Sequence, residues 1–269
     1  LVVSALLILV PLIVPNWILF VMTKSLFMFI CVSGVAFLLR GGLLTFGHAL
    51  FYATGAYTVG FMVKWFGVHE LAIVLPLGAL MGFIMASLVG LIMARYREVF
   101  FAMLNLAFSM ILFGALLKFY RVTGGTDGLA TGTPTLLGIE IESDSLSFYY
   151  FSLVIVAIVA YVIHRFMASP TGFYLRALYD NEIRIEYSGV SVRQVIYRTY
   201  ILAGTLGGVS GVLAAFTIGH IVPEDAFWIQ SGEFVFMALL GGFGGLPGPL
   251  MGAIAFEFIA TYASKYFPM

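Results

Sequence analysis

Few side chains in this sequence could do chemistry, and a serine in a glycine-rich stretch is the first of them. Ser210 lies in Gly208-Val209-Ser210-Gly211, which matches the G-x-S-G pattern around the nucleophile of some intramembrane proteases. A serine hydroxyl needs a neighbouring base before it attacks a carbonyl, and His48 and His220 are the candidates. Glycine and serine are also abundant in packed membrane helices that have no catalytic role. An intramembrane serine protease is therefore one hypothesis.

Three ionisable residues within apolar sequence could serve transport instead. Charged groups inside a membrane are costly and often functional, and an ion-coupled secondary transporter would need a carboxylate or an ion pair there. His48 is expected either to line a polar path or to hold a broken helix by a hydrogen bond. Glu233 is expected to cap the start of a helix. Glu257 is expected to pair with Lys265 only if the last helix bends.

The composition identifies the class of protein that must position these groups. The 269 residues are 62% hydrophobic and 10% charged, whereas soluble domains carry about 25% charge. This predicts an all-α polytopic membrane protein, because the short segments of alternating polarity typical of membrane barrels are absent. The single cysteine, Cys31, excludes an internal disulfide and a cysteine-based metal site, so we predict no metal site. The formal net charge of zero gives no indication of nucleic-acid binding.

The apolar segments predict about eight transmembrane helices in a single domain, residues 1–269. A spanning helix needs about 20 apolar residues. We expect a short stretch to precede Leu1, and no cleavable signal peptide, because no basic region precedes the first apolar run. Residues 40–42 contain two consecutive glycines, and residues 241–249 are rich in glycine and proline, so both regions are expected to be broken helices. The expected spans are roughly 2–22, 26–39, 43–63, 71–94, 99–119, 147–167, 194–218 and 233–264.

The longest charged interruption, residues 165–198, is expected to face the cytoplasm, because basic loops resist translocation. Five of the thirteen basic residues lie there: Arg165, Arg176, Arg184, Arg193 and Arg198. The segment also carries signals for a folded element. Ser169-Pro170 or Thr171 can start a first helix, on which Leu175, Leu178 and Tyr179 share one side.

A second, shorter helix is expected to follow directly. Asp180 can cap it, with Glu182 in its first turn, and Gly189 can end it. We therefore expect a rigid element, at about residues 165–193, on which another protein docks. The alternative is an ordinary amphipathic loop that lies on the bilayer.

Two acidic loops are expected on the opposite side of the membrane. Residues 122–146 carry Asp127, Glu140, Glu142 and Asp144 but no lysine or arginine. Residues 219–232 carry Glu224 and Asp225, also without lysine or arginine. These loops alternate correctly with the cytoplasmic ones when each predicted helix spans once.

The two glycine-broken regions can be aligned with one another. At a constant offset, Gly41-Gly42 falls on Gly241-Gly242, and Leu50 and Ala53 fall on Leu250 and Ala253. Broken apolar segments in corresponding halves are typical of transporters built from repeats, with a site near the middle of the membrane. We therefore predict an internal repeat. Chance matching in glycine- and alanine-rich sequence is the alternative.

Several motifs together resemble one family, the permeases of ABC importers for branched-chain amino acids, of the LivM/LivH type. The sequence Arg176-Ala177-x-x-Asp180-Asn181-Glu182, followed by Tyr187-Ser188-Gly189-Val190, resembles their coupling loop. Four further stretches resemble their motifs in the same order: residues 41–49, 101–108, 123–128 and 231–249. Phe101, Asn105 and Gly245-Leu246 depart from the family pattern, which bears more on substrate identity than on fold.

The resemblance implies roles for particular residues. Those expected to couple to an ATPase are Arg176, Ala177, Asp180, Asn181, Glu182 and Gly189. Those expected to line the translocation path are Gly41, Gly42, Phe46, Gly47, His48, Asn105, Gly241 and Gly242. Those expected to dock a periplasmic binding protein are Asp127, Glu224 and Asp225. For the glycines, simple packing of small residues is a compatible alternative.

The resemblance also implies partners: a second homologous permease, two ABC ATPase subunits, a periplasmic substrate-binding protein and the bacterial inner membrane. The chain has no Walker A pattern. We therefore expect no enzyme activity and no bound cofactor in this chain, with ATP and Mg²⁺ held by the ATPase subunits.

Overall fold

A computed structural model describes Leu7 and residues 9–12, 14–142 and 145–266; Asp144 and the start of the first predicted span lie outside this part. The described part confirms the all-α prediction with eleven α-helices. The helices are α1 Asn16–Arg40, α2 Ala49–Phe66, α3 Leu71–Met93, α4 Glu98–Lys118, α5 Tyr120–Thr123, α6 Leu146–Met167, α7 Pro170–Asp180, α8 Glu182–Tyr187, α9 Val192–Ile218, α10 Trp228–Gly241 and α11 Pro247–Tyr266. Single 3₁₀ turns occupy Val10–Leu12, Gly125–Asp127 and Pro223–Ala226.

Five of the described helices, α1, α3, α4, α6 and α9, are long and apolar enough to cross a membrane. Helix α1 runs straight through the boundary predicted between residues 22 and 26, so that boundary is wrong. The polar residues that suggested it are accommodated inside the helix. The hydroxyls of Thr23 and Ser25 donate to the carbonyls of Leu19 and Val21, four residues earlier.

Both regions predicted to be broken are breaks between helices. Helix α1 ends at Arg40 and α2 begins at Ala49; α10 ends at Gly241 and α11 begins at Pro247. Each break has a glycine with positive φ close to the end of its first helix: Gly42, two residues after α1, with φ 73°, and Gly242, directly after α10, with φ 80°. Residues with a side chain rarely adopt this conformation, so glycine is what allows the chain to leave the helix here.

Helix α9 is the central helix of the fold and packs against α1, α2 and α3. Glycines allow the helix backbones to touch. A methyl group on Gly211 would lie 2.0 Å from the carbonyl oxygen of Tyr52, and one on Gly55 would lie 2.0 Å from that of Gly208. Association of helices within a membrane depends on such close van der Waals contact, because lipid supplies no hydrophobic driving force between them.

The two ends of the molecule differ in charge. The basic end contains Arg95, Arg97 and residues 168–191, and an ion pair between Arg97 and Glu182 joins its two parts. The acidic end contains residues 119–142 and 219–227. There the strands β1 Leu129–Ala130 and β4 His220–Ile221, far apart in the chain, pair antiparallel, while β2 Thr135–Leu136 and β3 Ile139–Glu140 form a hairpin. The expectation that the loops of residues 122–146 and 219–232 share one side agrees with the pairing of β1 with β4.

Candidate coupling site and translocation path

Helices α7 and α8 at the basic end form a compact knob with a cap at each junction. The hydroxyl oxygen of Ser169 accepts the N–H of Gly172, and Pro170 occupies the first position of α7. The side chain of Asn181 accepts the N–H of Arg184 at the start of α8. The prediction that Asp180 caps α8 is therefore wrong by one residue, since Asp180 ends α7. Gly189, with φ 79°, follows the end of α8 as predicted.

The knob has one buried face and one exposed face. Leu175 and Leu178 of α7 and Ile185 of α8 are buried. Tyr179 shares the side of Leu175, as predicted, since both lie next to the first glycine break, but it is 68% exposed. The exposed face carries the large apolar side chains Phe173, Ile183 and Tyr187. A cavity of about 360 Å³ opens between the two helices, and three of the predicted coupling residues line it: Ala177, Asp180 and Asn181.

The buried face of the knob packs against the first glycine break. A methyl group on Gly41 would lie 2.7 Å from Cδ1 of Leu175, and one on Gly42 would lie 3.5 Å from the ring of Tyr179. The knob thus lies directly against the segment that joins α1 to α2.

The knob is also fixed to the start of α4 by Arg97. Its Nη2 lies 2.9 Å from Oε1 of Glu182, and its Nε donates to both carboxylate oxygens, at 3.2 and 3.1 Å. This is the two-pronged geometry in which arginine binds carboxylates most strongly. No local pattern indicates a partner 85 residues away, so the sequence alone could not identify this pair.

The two glycine breaks meet one another. The Nε of Arg40 donates to the carbonyl oxygen of Phe243, directly after Gly242. Deeper in the molecule, the N–H of Ala49 donates to the hydroxyl oxygen of Ser231 at 2.9 Å, which satisfies an otherwise unpaired donor at the start of α2. The Arg40 contact thus joins the segment that contains Gly41 and Gly42 to the segment that contains Gly241 and Gly242.

A cavity of about 470 Å³ lies between the first break and α4. Of the predicted path residues, Gly42 and Phe46 line it, together with Leu44, Glu98, Val99, Ala102, Met103 and Leu106. Its lining is apolar apart from Glu98. Glu98 has φ 49° and is one of two non-glycine residues of the described chain that lie in the left-handed region.

The remaining predicted path residues lie in the core. Asn105 is buried, accepts the hydroxyl of Tyr200 and donates to the carbonyl of Phe101. Gly47 lies so close that a methyl group there would be 2.1 Å from the Asn105 carbonyl oxygen. His48 is fully buried against Gly34, and neither ring nitrogen has a hydrogen-bond partner among the described residues. The expected hydrogen bond from His48 is therefore absent in this conformation.

The two carboxylates within apolar sequence, Glu233 and Glu257, have partners that the sequence did not identify. Glu257 pairs with Lys24 of α1 at 2.9 Å, and the side chain of Lys265, the expected partner, lies outside the described residues. Glu233 lies in the second turn of α10, which starts at Trp228, so it does not cap the helix as predicted. Its carboxylate instead accepts the side-chain amide of Gln230 at 3.2 Å.

Among the described residues, Ser210 and a histidine do not form the catalytic pair that the serine-protease hypothesis requires. The hydroxyl of Ser210 donates to the carbonyl of Phe27 at 2.7 Å, inside the contact between α9 and α1. Because His48 bonds to no described residue, it does not act as a base for Ser210. His220 lies at the acidic end, in β4.

The three predicted docking acids lie at the acidic end. Asp127 accepts the hydroxyl of Tyr120 at 2.7 Å, and this bond raises the pKa of Tyr120. Asp225 accepts the N–H of Val222, and burial raises the pKa of Asp225 to about 6. Glu224 is exposed. The pairing of β1 with β4 joins the two loops that carry these residues.

These features define a multi-pass helical membrane protein with two adjoining broken segments and a folded helical knob at its basic end. The family described as "Branched-chain amino acid transport system / permease component" matches residues 17–269. The chain therefore belongs to this family of transport permeases, as the motifs suggested.

Individual relatives agree with this assignment. The chain is 28% identical to the high-affinity branched-chain amino acid transport system permease protein LivM of Escherichia coli, over 79% of this chain and 55% of that protein. It is 24% identical to the probable LivM permease of Methanocaldococcus jannaschii, over 74% of this chain and 58% of that protein. A guanosine ABC transporter permease, NupP of Bacillus subtilis, is 34% identical over 33% of this chain and 26% of its own length. The chain thus spans little more than half the length of the two LivM relatives. No solved structure matches it significantly.

Proposed function

We propose that this chain is the transmembrane permease subunit of an ATP-driven importer for branched-chain or related amino acids in a bacterial inner membrane. The observation that carries the proposal is the knob formed by α7 and α8, in a chain whose family is that of branched-chain amino acid permeases. Its caps make it rigid, and its exposed face offers apolar side chains beside charged ones. An ATPase subunit is the partner that such an element suits.

In this proposal the knob carries motion from the ATPase subunits into the membrane. Arg176, Ala177, Asp180, Asn181, Glu182 and Gly189 form the coupling element. Because the knob lies against Gly41 and Gly42, its displacement would act on the first break, and Arg40 would pass it to the second. Gly41, Gly42, Phe46, Gly47, His48, Asn105, Gly241 and Gly242 would line or shape the path as the breaks separate.

The proposed number of spans is eight. The three helices beyond the five long apolar ones, α2, α10 and α11, adjoin the two breaks, as expected where broken helices surround a path. The similar breaks after α1 and α10, each with a left-handed glycine, favour the proposed internal repeat.

The proposed partners are a second, homologous permease, two ABC ATPase subunits that hold ATP and Mg²⁺, and a periplasmic substrate-binding protein. Asp127, Glu224 and Asp225 would contact the binding protein, since the paired loops present them on one end of the molecule. The relatives' names also extend to guanosine, so nucleosides belong among the substrates to be tested.

The decisive experiment is purification of the tagged chain from its native membrane, with mass spectrometry and an ATPase assay on the eluate. We expect an ABC ATPase and a second permease to be retained. Vesicles containing that complex, with the binding protein encoded beside it, should accumulate leucine, isoleucine or valine only with ATP; guanosine serves as the comparison substrate.

A chain that purifies alone and hydrolyses no ATP would overturn the proposal. The Lys24–Glu257 pair would then be the first place to look for ion coupling, since it supplies the intramembrane ion pair that a secondary transporter needs.

A further inference from the structure

Among the described residues, one polar side chain of the turn between α3 and α4 is bonded to the knob, that of Arg97. Its Nη1 donates to the carbonyls of Ala94 and Tyr96, at 3.0 and 2.9 Å, while its Nε and Nη2 bind Glu182. One guanidinium therefore fixes the end of α3, the start of α4 and the start of α8 relative to one another. Both oxygens of the Glu182 carboxylate are engaged within the chain.

Helix α4 connects Arg97 to the core. Arg97 directly precedes α4, and Asn105 lies two turns further along it. Asn105 is bonded to Tyr200 of α9, and its backbone is in contact with Gly47 at the first break. A displacement of the start of α4 would thus reach both the central helix and the segment that leads into α2.

We propose that Arg97 is a positioning residue for coupling: its ion pair with Glu182 transmits movement of the knob to α4. This inference rests on the proposed function, since it requires an ATPase bound to the knob. It assigns Glu182 a role within the chain, rather than a direct contact with the ATPase. The contact of Leu175 with Gly41 is a separate connection, between the knob and α1.

If the Arg97–Glu182 pair served only to stabilise the fold, its removal would lower coupling only by lowering stability. The two side chains are 27% and 37% exposed, and ion pairs at such positions contribute little to folding stability. Loss of the pair should therefore leave the melting temperature of the complex nearly unchanged. Loss of coupling without loss of stability is the result that a structural role does not produce.

The test compares Arg97→Gln, Glu182→Gln and the double variant in the reconstituted importer, by the substrate molecules transported per ATP hydrolysed. We expect each single variant to lower this ratio roughly tenfold, within the range of coupling between sites. The double variant should be no worse than the singles, because each single change already breaks the pair. Arg95→Gln, in the same exposed turn, is the matched control and should couple normally.

Three outcomes separate the possibilities. If the unchanged chain retains no ATPase and transports nothing, the proposed function fails, and this inference fails with it. If the unchanged importer is coupled and Arg97→Gln couples as well as Arg95→Gln, only the inference is overturned. If Glu182→Gln releases the ATPase while Arg97→Gln does not, Glu182 contacts the ATPase directly, and the internal link is likewise overturned.

Discussion

The ammonium group of Lys24 lies 2.9 Å from a carboxylate oxygen of Glu257, across the contact between α1 and α11. The Glu257 side chain is only 2% exposed, whereas that of Lys24 is 33% exposed. The pair allows a charged residue to lie inside α1, where the sequence suggested a boundary between two spans. It also holds the last described helix against the first, which closes the bundle.

We predict that Lys24→Met destabilises the protein by about 3 kcal/mol, because it leaves a buried carboxylate without its cation. The double variant Lys24→Met/Glu257→Leu should recover most of that loss, since no buried charge remains. Thermal unfolding of the detergent-purified protein measures both. Lys118→Met, at an exposed position, is the control. Equal destabilisation by the single and double variants would contradict the importance of the ion pair.

The pH dependence of stability should be dominated in one window by Asp225. Burial raises its pKa from an ordinary value of 3.8 to about 6. Between these values the folded state binds more protons than the unfolded state, so stability should fall as pH rises from about 4 to 6. At 1.36 kcal/mol per pKa unit, the loss is at most about 3 kcal/mol.

Asp225→Asn should remove this slope and raise stability at pH 7, since its side-chain oxygen can still accept the N–H of Val222. Chemical unfolding at several pH values measures the slope. The exposed neighbour Glu224, changed to Gln, should leave it intact. An unchanged slope in Asp225→Asn would assign it to another group.

Glu70 should show the opposite sign. Its carboxylate accepts the N–H groups of Leu137 and Gly138 and the hydroxyl of Thr135, and the bond from Leu137 is the main cause of its lowered pKa. A lowered pKa contributes stability above the ordinary value of 4.5, and this contribution is lost as pH falls through the folded-state value.

We therefore predict that Glu70→Gln at pH 7, or acidification of the unchanged protein to well below the ordinary carboxylate value of 4.5, exposes the amides of Leu137 and Gly138 to hydrogen exchange. Exchange is compared after correction for the intrinsic rate at each pH. Glu140→Gln, in the same hairpin, should leave these amides protected. Equal protection in Glu70→Gln would show that the hairpin does not depend on this side chain.

Features set by local sequence were predicted well. Glycine marks both helix breaks, with proline also in the second, and Ser169, Pro170 and Gly189 delimit the knob, because turns and caps are determined by a few neighbouring residues. The cap of α8 was predicted one residue early, since Asp180 and Asn181 both suit the position and only the backbone decides between them.

Features set by distant contacts were not predictable in this way. Arg97 and Glu182 lie far apart in the chain, and each alone is an ordinary charge at the basic end. The sequence around Lys24 suggested a boundary between two spans, because its partner Glu257 lies at the other end of the sequence. Such pairs depend on how helices pack, which local patterns do not determine.

Glu98 offers a test of local strain at the base of α4. Its φ of 49° lies in the left-handed region, which costs a residue with a side chain roughly 1 kcal/mol relative to glycine. Glu98→Gly should therefore stabilise the protein by about that amount. Val99→Gly, one residue further into the helix, should destabilise it by about 1 kcal/mol. Thermal unfolding compares the two, and a loss of stability in Glu98→Gly would show that this backbone is not strained.

Glycine has two different meanings in this bundle, and alanine substitution separates them. Gly211 packs against the backbone of α2, where a methyl group would lie 2.0 Å from the Tyr52 oxygen; around Gly114 of α4 a methyl group would meet nothing within 4 Å. Gly211→Ala should force α9 and α2 apart and cost about 1–3 kcal/mol, as overpacking does. Gly114→Ala should stabilise the protein by about 0.5–1 kcal/mol, because alanine favours the helix. If thermal unfolding gave both variants the same sign, close backbone contact would not be what holds α9 to α2.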